Sequence, residues 1–398
     1  MLTAQTKTGK KICLGYDYKR ETLLYLRRTE EFVCPVCEEK VILKLGDQRI
    51  PHFAHQKGTE CQDFYEPESL YHMDGKLQLY RWLLNQRIKA TLEYYDKGTQ
   101  QRPDIMFYYK GKKFALEYQC SPIPENIFLK RTQSYKENGY TPIWILGNKH
   151  IHPKRKNIVS LSNFHYSFIR SSTENNYYLP AYCPEKRTFH FLNSLYTYSA
   201  KNAFVNNTYF NTDKVKMDDL LNPKVFNEIS IVDWYHELDY FFLNWSLHPS
   251  KLQQSFLHEI YSNQLNPYLI PPEIGLPIQS SFFIQTSPII WQTYFYLDIL
   301  AGKVPGDVFS VLEIKKGLMN RIKRGEIIVR GLPQFSEIEP FICILHYLER
   351  LSQLGFITII NDEMFLIERK FKIPSTNREK EEGRKIFYKK YHRGLITS

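Results

Sequence analysis

Apolar positions in the first part of the chain come in short runs broken by turns: Val33 ahead of CPVCEEK, then Val41-Ile42-Leu43, then IPHFAHQKGTEC. Runs this short predict a small module held by something other than a large core. From Pro67 the pattern changes. Met73, Leu77, Tyr80 and Leu84 fall at helical spacing, and Pro67 suits a helix start. Strands are expected at roughly 90–95, 104–109 and 113–119, a helix at about 124–138 (PENIFLKRTQSYKEN) closed by Gly139, and a buried strand at TPIWILGN. Helix, strands, helix, strand is an α/β order.

The polar stretch IRSSTENNYYLP, residues 169–180, reads as a boundary or long loop, and the aromatic segments beyond it are expected to be largely helical, without a detectable repeat. Near the C-terminus Ile338, Phe341, Ile342, Leu345, Leu348 and Leu351 share one helical face, and FITIINDEMFLIER reads as a hairpin turning at Asn361-Asp362. Helix plus hairpin resembles the end of a winged-helix unit. A length of 398 residues exceeds one ordinary core, so the pattern divides into three parts: 1–66, 67–165 and a mainly helical 166–398.

Composition excludes disorder and fibre: 43% of residues are hydrophobic and 24% charged. The 53 Lys and Arg exceed the 42 Asp and Glu, for a formal charge of +11, which favours a phosphate-bearing partner such as DNA. From Glu368 onward ten Lys or Arg face four Glu, a run that is either solvated or a nucleic-acid contact. The first residues lack an apolar stretch after a basic start, and no apolar run is long enough to span a bilayer, so the chain reads as cytoplasmic without a membrane span. Seven cysteines, an odd number with one close cluster, argue against a disulfide framework there.

That cluster carries the first chemistry. Cys34-Pro-Val-Cys37 can turn two thiolates around one ion, and His52, His55 and Cys61 follow within a short span. Five ligands compete for four tetrahedral positions; Cys34, Cys37, His55 and Cys61 are favoured, with His52 as the alternative fourth ligand or a supporting donor. Protein would fill all four positions, making the zinc structural.

The second chemistry lies in RPDIMFYYKGKKFALEYQC, residues 102–120. Glu117 and Gln119 point to one face of their strand. Asp104 joins them only if the hairpin register has an odd sum, as a two- or four-residue loop around Lys110-Gly111-Lys112 would give. Such a face would suit Mg²⁺ or Mn²⁺; an ordinary exposed polar face is the competing reading. Glu68, His72 and Lys76 are spaced i, i+4, i+8 on the preceding helix, flanking its apolar stripe. Lys130, Arg131 and Tyr135 lie on the following helix, where the two cations can hold a phosphate.

This order resembles the PD-(D/E)xK nuclease fold. More specifically, FVCPVCEEKVILKLGDQRIPHFAHQKGTEC, YHMDGK, RPDI and LEYQCSPI resemble the competence protein CoiA family, specifically over roughly residues 1–150 and more vaguely beyond. The resemblance implies a zinc-finger-like module, an α/β nuclease-like core and a helical C-terminal domain. It also implies a role in natural transformation, handling incoming DNA or its recombination together with recombination proteins. Carried over residue by residue, Asp104 and Glu117 would bind the metal. Gln119 stands where the pattern has Lys, and Lys76, assisted by His72, is positioned to replace that ammonium. A non-catalytic DNA-binding adaptor is the rival reading.

Overall fold

A computed structural model describes residues 1–46, 49–56, 61, 68–155, 157–172, 176–224, 229–335 and 340–391. It divides into two compact units: Met1–His150 with Leu179–Phe191 and Thr208–Pro223, and Ile151–Tyr178 with Leu192–Asn207 and the chain from Lys224.

The first unit opens with β1 (Thr3–Thr6), β2 (Lys11–Cys13), α1 (Arg20–Thr29), β3 (Phe32–Val33), β4 (Lys40–Lys44) and β5 (His52–His55). The strands form an antiparallel sheet in the order β2-β1-β3-β4-β5. Its buried face is small: Leu2, Ala4, Ile12, Val41 and Leu43, with Phe32 and Phe53 at 5.0 Å between ring centroids. On α1 only Leu23 is buried.

The helix expected from the Met73 spacing is α2 (Leu70–Asn85). Ser69 caps it, its side chain accepting from the His72 N–H at 3.2 Å, and Pro67 lies outside the described residues. Glu68 therefore precedes the helix rather than opening it. The helix packs closely on the sheet through Gly75, where a Cβ would lie 2.1 Å from the Tyr118 ring.

The sheet beside it contains β6 (Ala90–Leu92), β7 (Ile105–Tyr109) and β8 (Lys112–Gln119); α3 (Glu125–Glu137) then crosses to β9 (Tyr140–Gly147), which runs parallel to β8. Phe128 of α3 stacks on Trp144 of β9 at 4.0 Å. Lys110 and Gly111, at φ 48° and 76°, make a two-residue turn with both residues left-handed, as a tight hairpin requires. The resulting register pairs Ile105 with Leu116, an odd sum, and its next step brings Asp104 opposite Glu117.

The second unit begins with β10 (His152–Arg155), β11 (Ile158–Ser160), α4 (Asn163–Tyr166) and β12 (Arg170–Ser171). Three longer strands follow, β13 (Tyr177–Cys183), β14 (Thr188–Thr197) and β15 (Asn202–Asn211), each running from one unit into the other. Within the first unit, β13 adds to the mixed sheet parallel to β9, pairing Ala181 with Leu146. These strands correct the expectation of a loop and helices over this stretch. Every residue of β13, and all but the first of β14, is buried, so the alternation that marks a half-exposed strand is missing. Residues 173–175 of the expected boundary lie outside the described residues.

The short α5 (Met217–Leu221) returns to the first unit, where the Trp82 indole N–H donates to the Val215 carbonyl at 2.7 Å. Helices then dominate the second unit: α6 (Ile231–Leu247), α7 (Lys251–Ser262) and α8 (Pro288–Phe295). β16 (Val308–Ser310), α9 (Val311–Lys323), α10 (Ile342–Gln353), β17 (Ile357–Ile359), β18 (Met364–Ile367) and α11 (Asn377–Tyr391) complete it. The C-terminal hairpin forms as expected and gains a third strand, in the order β16-β18-β17. Leu348 and Leu351 face inward from α10, while Ile338 lies outside the described residues. No helix among the described residues is long and apolar enough to cross a membrane.

Candidate functional site

Cys34, Cys37, His55 and Cys61 converge, with one ligand atom of each within 4.8 Å of all the others. Glu38, left-handed at φ 62°, turns the chain so that its N–H reaches the Cys34 carbonyl at 3.0 Å, while the Cys34 N–H reaches the Glu39 carbonyl at 2.8 Å. His55 lies across from Val41 on β4, and its Nε2 is 3.3 Å from Cys37 Sγ. His52 is three residues away on the same strand and so faces the opposite side; its Nδ1 meets the Ile50 carbonyl at 3.0 Å. A tetrahedral zinc with bonds of about 2.3 Å to sulfur separates its ligands by roughly 3.8 Å, so this Cys₃His set fits one ion. Burial pushes the Cys34 thiol up, opposed by hydrogen bonds from the Cys37 and Val36 backbone and by the nearby Arg102 charge. A zinc held by these residues would bind the thiolate form and so offset that cost.

The second cluster centres on Lys76, whose side chain is 1% exposed. Its ammonium contacts Glu68, lies 2.6 Å from Glu93 Oε1 and 3.3 Å from Asp104 Oδ1. Asp104 Oδ2 is 3.4 Å from His72 Nε2 and accepts the Tyr118 N–H at 2.9 Å. His72 Nδ1 lies 3.8 Å from Glu68, whose other oxygen is 3.0 Å from the Met1 ammonium. Burial alone would neutralise these acids, but Lys76 overrides it: Glu68 and Asp104 are held well below the usual carboxylate range and Glu93 at about 2. The same carboxylates outweigh burial at Lys76 and raise it well above its ordinary value. Glu68, His72 and Asp104 also offer three ligand atoms within 4.8 Å of one another.

Glu117 is committed to the other helix. Its carboxylate accepts from Arg131 and, at 2.5 Å, from the Tyr135 hydroxyl, both on α3. Burial pushes it up to about 7, against the pull of Arg131. Asp104 and Glu117 thus occupy facing positions of one hairpin, yet their carboxylates turn to α2 and α3 respectively. The Gln119 amide donates to the Ser121 carbonyl at 2.8 Å. Lys130 is exposed on α3, whereas the Arg131 guanidinium is engaged by Glu117.

Sequence reasoning missed Glu93 and Arg102. Glu93 is 2% exposed and left-handed at φ 47°, and an acid inside the apolar run ahead of Tyr94-Tyr95 was its one signal. Arg102, 4% exposed, lies 4.0 Å from Glu93 Oε2 and precedes the Pro-Asp step already singled out.

Comparison with known proteins covers most of the chain. The family model described as the Competence protein CoiA N-terminal domain matches residues 15–64, that for its nuclease-like domain residues 68–225, and that for its C-terminal domain residues 233–380. The Competence protein CoiA of Bacillus subtilis (strain 168) is 29% identical over 346 residues, 86% of this chain and 91% of the relative. No solved structure matches. With each of its three segments matched in order, and a relative aligned along most of both chains, this protein belongs to the competence protein CoiA family.

Proposed function

We propose that the protein processes incoming DNA in the cytoplasm during transformation, by metal-dependent phosphodiester hydrolysis at a PD-(D/E)xK-type site. The observation that carries this reading is Asp104 at the mouth of the β7–β8 hairpin, kept ionised by Lys76 and grouped with Glu68 and His72 within 4.8 Å. Carboxylate oxygens beside an imidazole suit Mg²⁺ or Mn²⁺, which when bound polarises water and offsets phosphate charge. Asp104 and Glu117 would hold the ion, with Glu68 and His72 as further donors beside Asp104. Glu117 would have to give up Arg131 to take that role, and Arg131, next to Lys130, would then be available to a DNA phosphate. Gln119 brings no charge to the strand, and Lys76 is the ammonium nearest Asp104.

A non-catalytic reading, DNA binding that supports the recombination proteins, draws on one observation. Lys76, the Met1 ammonium and Arg102 set three positive charges against Glu68, Glu93 and Asp104, so the cluster is charge-balanced without a further cation. Labelled single- and double-stranded DNA incubated with Mg²⁺, Mn²⁺ or chelator separates the two. The catalytic reading expects cleavage that follows the divalent ion; retained binding with no metal-dependent cleavage favours the adaptor.

A further inference from the structure

We infer that Glu93 is a positioning residue that builds the N-terminal zinc module into the nuclease-like site, so that zinc occupancy governs how tightly Lys76 is held there. This goes beyond the hydrolytic reading and does not depend on cleavage.

Glu93 touches three elements at once. Its Oε2 accepts from the Leu2 N–H at 2.8 Å, the Thr3 N–H at 3.0 Å and the Thr3 hydroxyl at 3.1 Å, fastening the start of β1. Its Oε1 accepts from Lys76 of α2 at 2.6 Å. Its own backbone N–H donates to the Asp104 carbonyl at 2.8 Å. Arg102, two residues before Asp104, is 4.0 Å from the same carboxylate.

The segment that Glu93 grips is set by the zinc ligands. β1 pairs with β3 through Gln5 and Val33, and Val33 adjoins Cys34. On the other side the Phe53 N–H donates to the Met1 carbonyl at 2.9 Å, two residues before His55. Residues 1–3 are therefore clamped between the strands that deliver Cys34 and His55. The apolar face of this sheet is built of short side-chain runs, Leu2 and Ala4, Ile12, Val41 and Leu43, and an ion bound by Cys34 and His55 would add to what fixes those strands, and through them the donors to Glu93. The left-handed backbone of Glu93 is the second sign: a non-glycine residue holds φ 47° where main-chain and side-chain bonds fix it from both directions.

The test reads Lys76 directly, by acetic anhydride labelling and peptide mass spectrometry of the full chain, with exposed Lys130 as internal reference. In zinc-loaded protein Lys76 should resist acetylation. Stripping zinc with a chelator, or Cys37→Ser, should raise Lys76 labelling about tenfold or more while Lys130 is unchanged. Glu93→Gln should do the same with zinc still bound at one ion per chain, and Glu93→Asp should restore part of the protection. Should Glu93→Gln fail to fold, Thr3→Val serves, removing one donor and raising labelling roughly two- to threefold. Lys76 that stays protected in zinc-free protein, or in a zinc-loaded variant lacking the Glu93 carboxylate or the Thr3 hydroxyl, overturns the inference.

Discussion

The Lys76 ammonium lies 2.6 Å from Glu93 and 3.3 Å from Asp104, in a side chain only 1% exposed. A cation so enclosed is held by its acids, and they by it. Lys76→Met should leave Glu68, Glu93 and Asp104 buried without the ammonium they share, lowering stability by about 3–5 kcal/mol in urea unfolding. Loss of less than about 1 kcal/mol would mean the cluster contributes little to the fold.

The same cluster sets the acid limit. Folded-state depression of Glu93 to about 2, with Glu68 and Asp104 lower still, gives stability present above the ordinary carboxylate values and lost as pH falls through the folded ones. The urea midpoint should drop steadily once pH falls below about 4.5, and Glu93→Gln should flatten that slope. An unchanged slope would remove Glu93 from the account.

Glu117 behaves in the opposite sense. Its carboxyl is raised to about 7 by burial, so its contribution is complete below the ordinary glutamate value and is lost as pH rises through the raised one. Carboxyl-carbon NMR should show Glu117 titrating near 7, as buried Glu273 also should, with the Glu117 signal moving higher in Arg131→Gln as the opposing charge disappears. Mn²⁺ binding should strengthen over the same pH interval, since the ion takes the ionised form.

Much of this site was legible in the chain because its parts are local. Cysteine spacing announced the Cys₃His group, and the helical period placed Lys76 on the same side as His72. Hairpin register depends on one loop, and Lys110-Gly111 makes it the two-residue turn that brings Asp104 opposite Glu117. The preference for His55 over His52 holds in the structure, where His55 joins the three cysteines and strand alternation along β5 turns His52 to the other side. What was hidden depends on distant contacts. Glu93 matters because Leu2, Lys76 and Asp104 meet there, and no local pattern encodes such a meeting. The strands over 177–211 were missed because much of their length is buried on both faces, which erases the period of two and leaves aromatic runs that suit either element.

Metal analysis of purified protein should find about one zinc per chain. His55→Ala and Cys34→Ser should lose it, while His52→Ala, whose ring bonds the Ile50 carbonyl, should keep it. Equal zinc loss from His52→Ala and His55→Ala would contradict the ligand set.

DNA affinity should fall with salt, as the +11 charge implies. On α11, Arg384 and Lys380 are taken up by Asp239, leaving Lys385, Lys389 and Lys390 exposed. Replacing those three by Gln should reduce the salt slope by at most about 3. Salt-independent binding would argue against a phosphate partner.

The most direct test of the catalytic account is single-turnover cleavage of labelled DNA with Mn²⁺ by wild type and Asp104→Asn, both shown to be zinc-loaded and folded. The account predicts metal-dependent product from wild type and a loss on the order of 10²-fold or more in Asp104→Asn with DNA binding retained. Equal traces from the two proteins, with or without Mn²⁺, would contradict it.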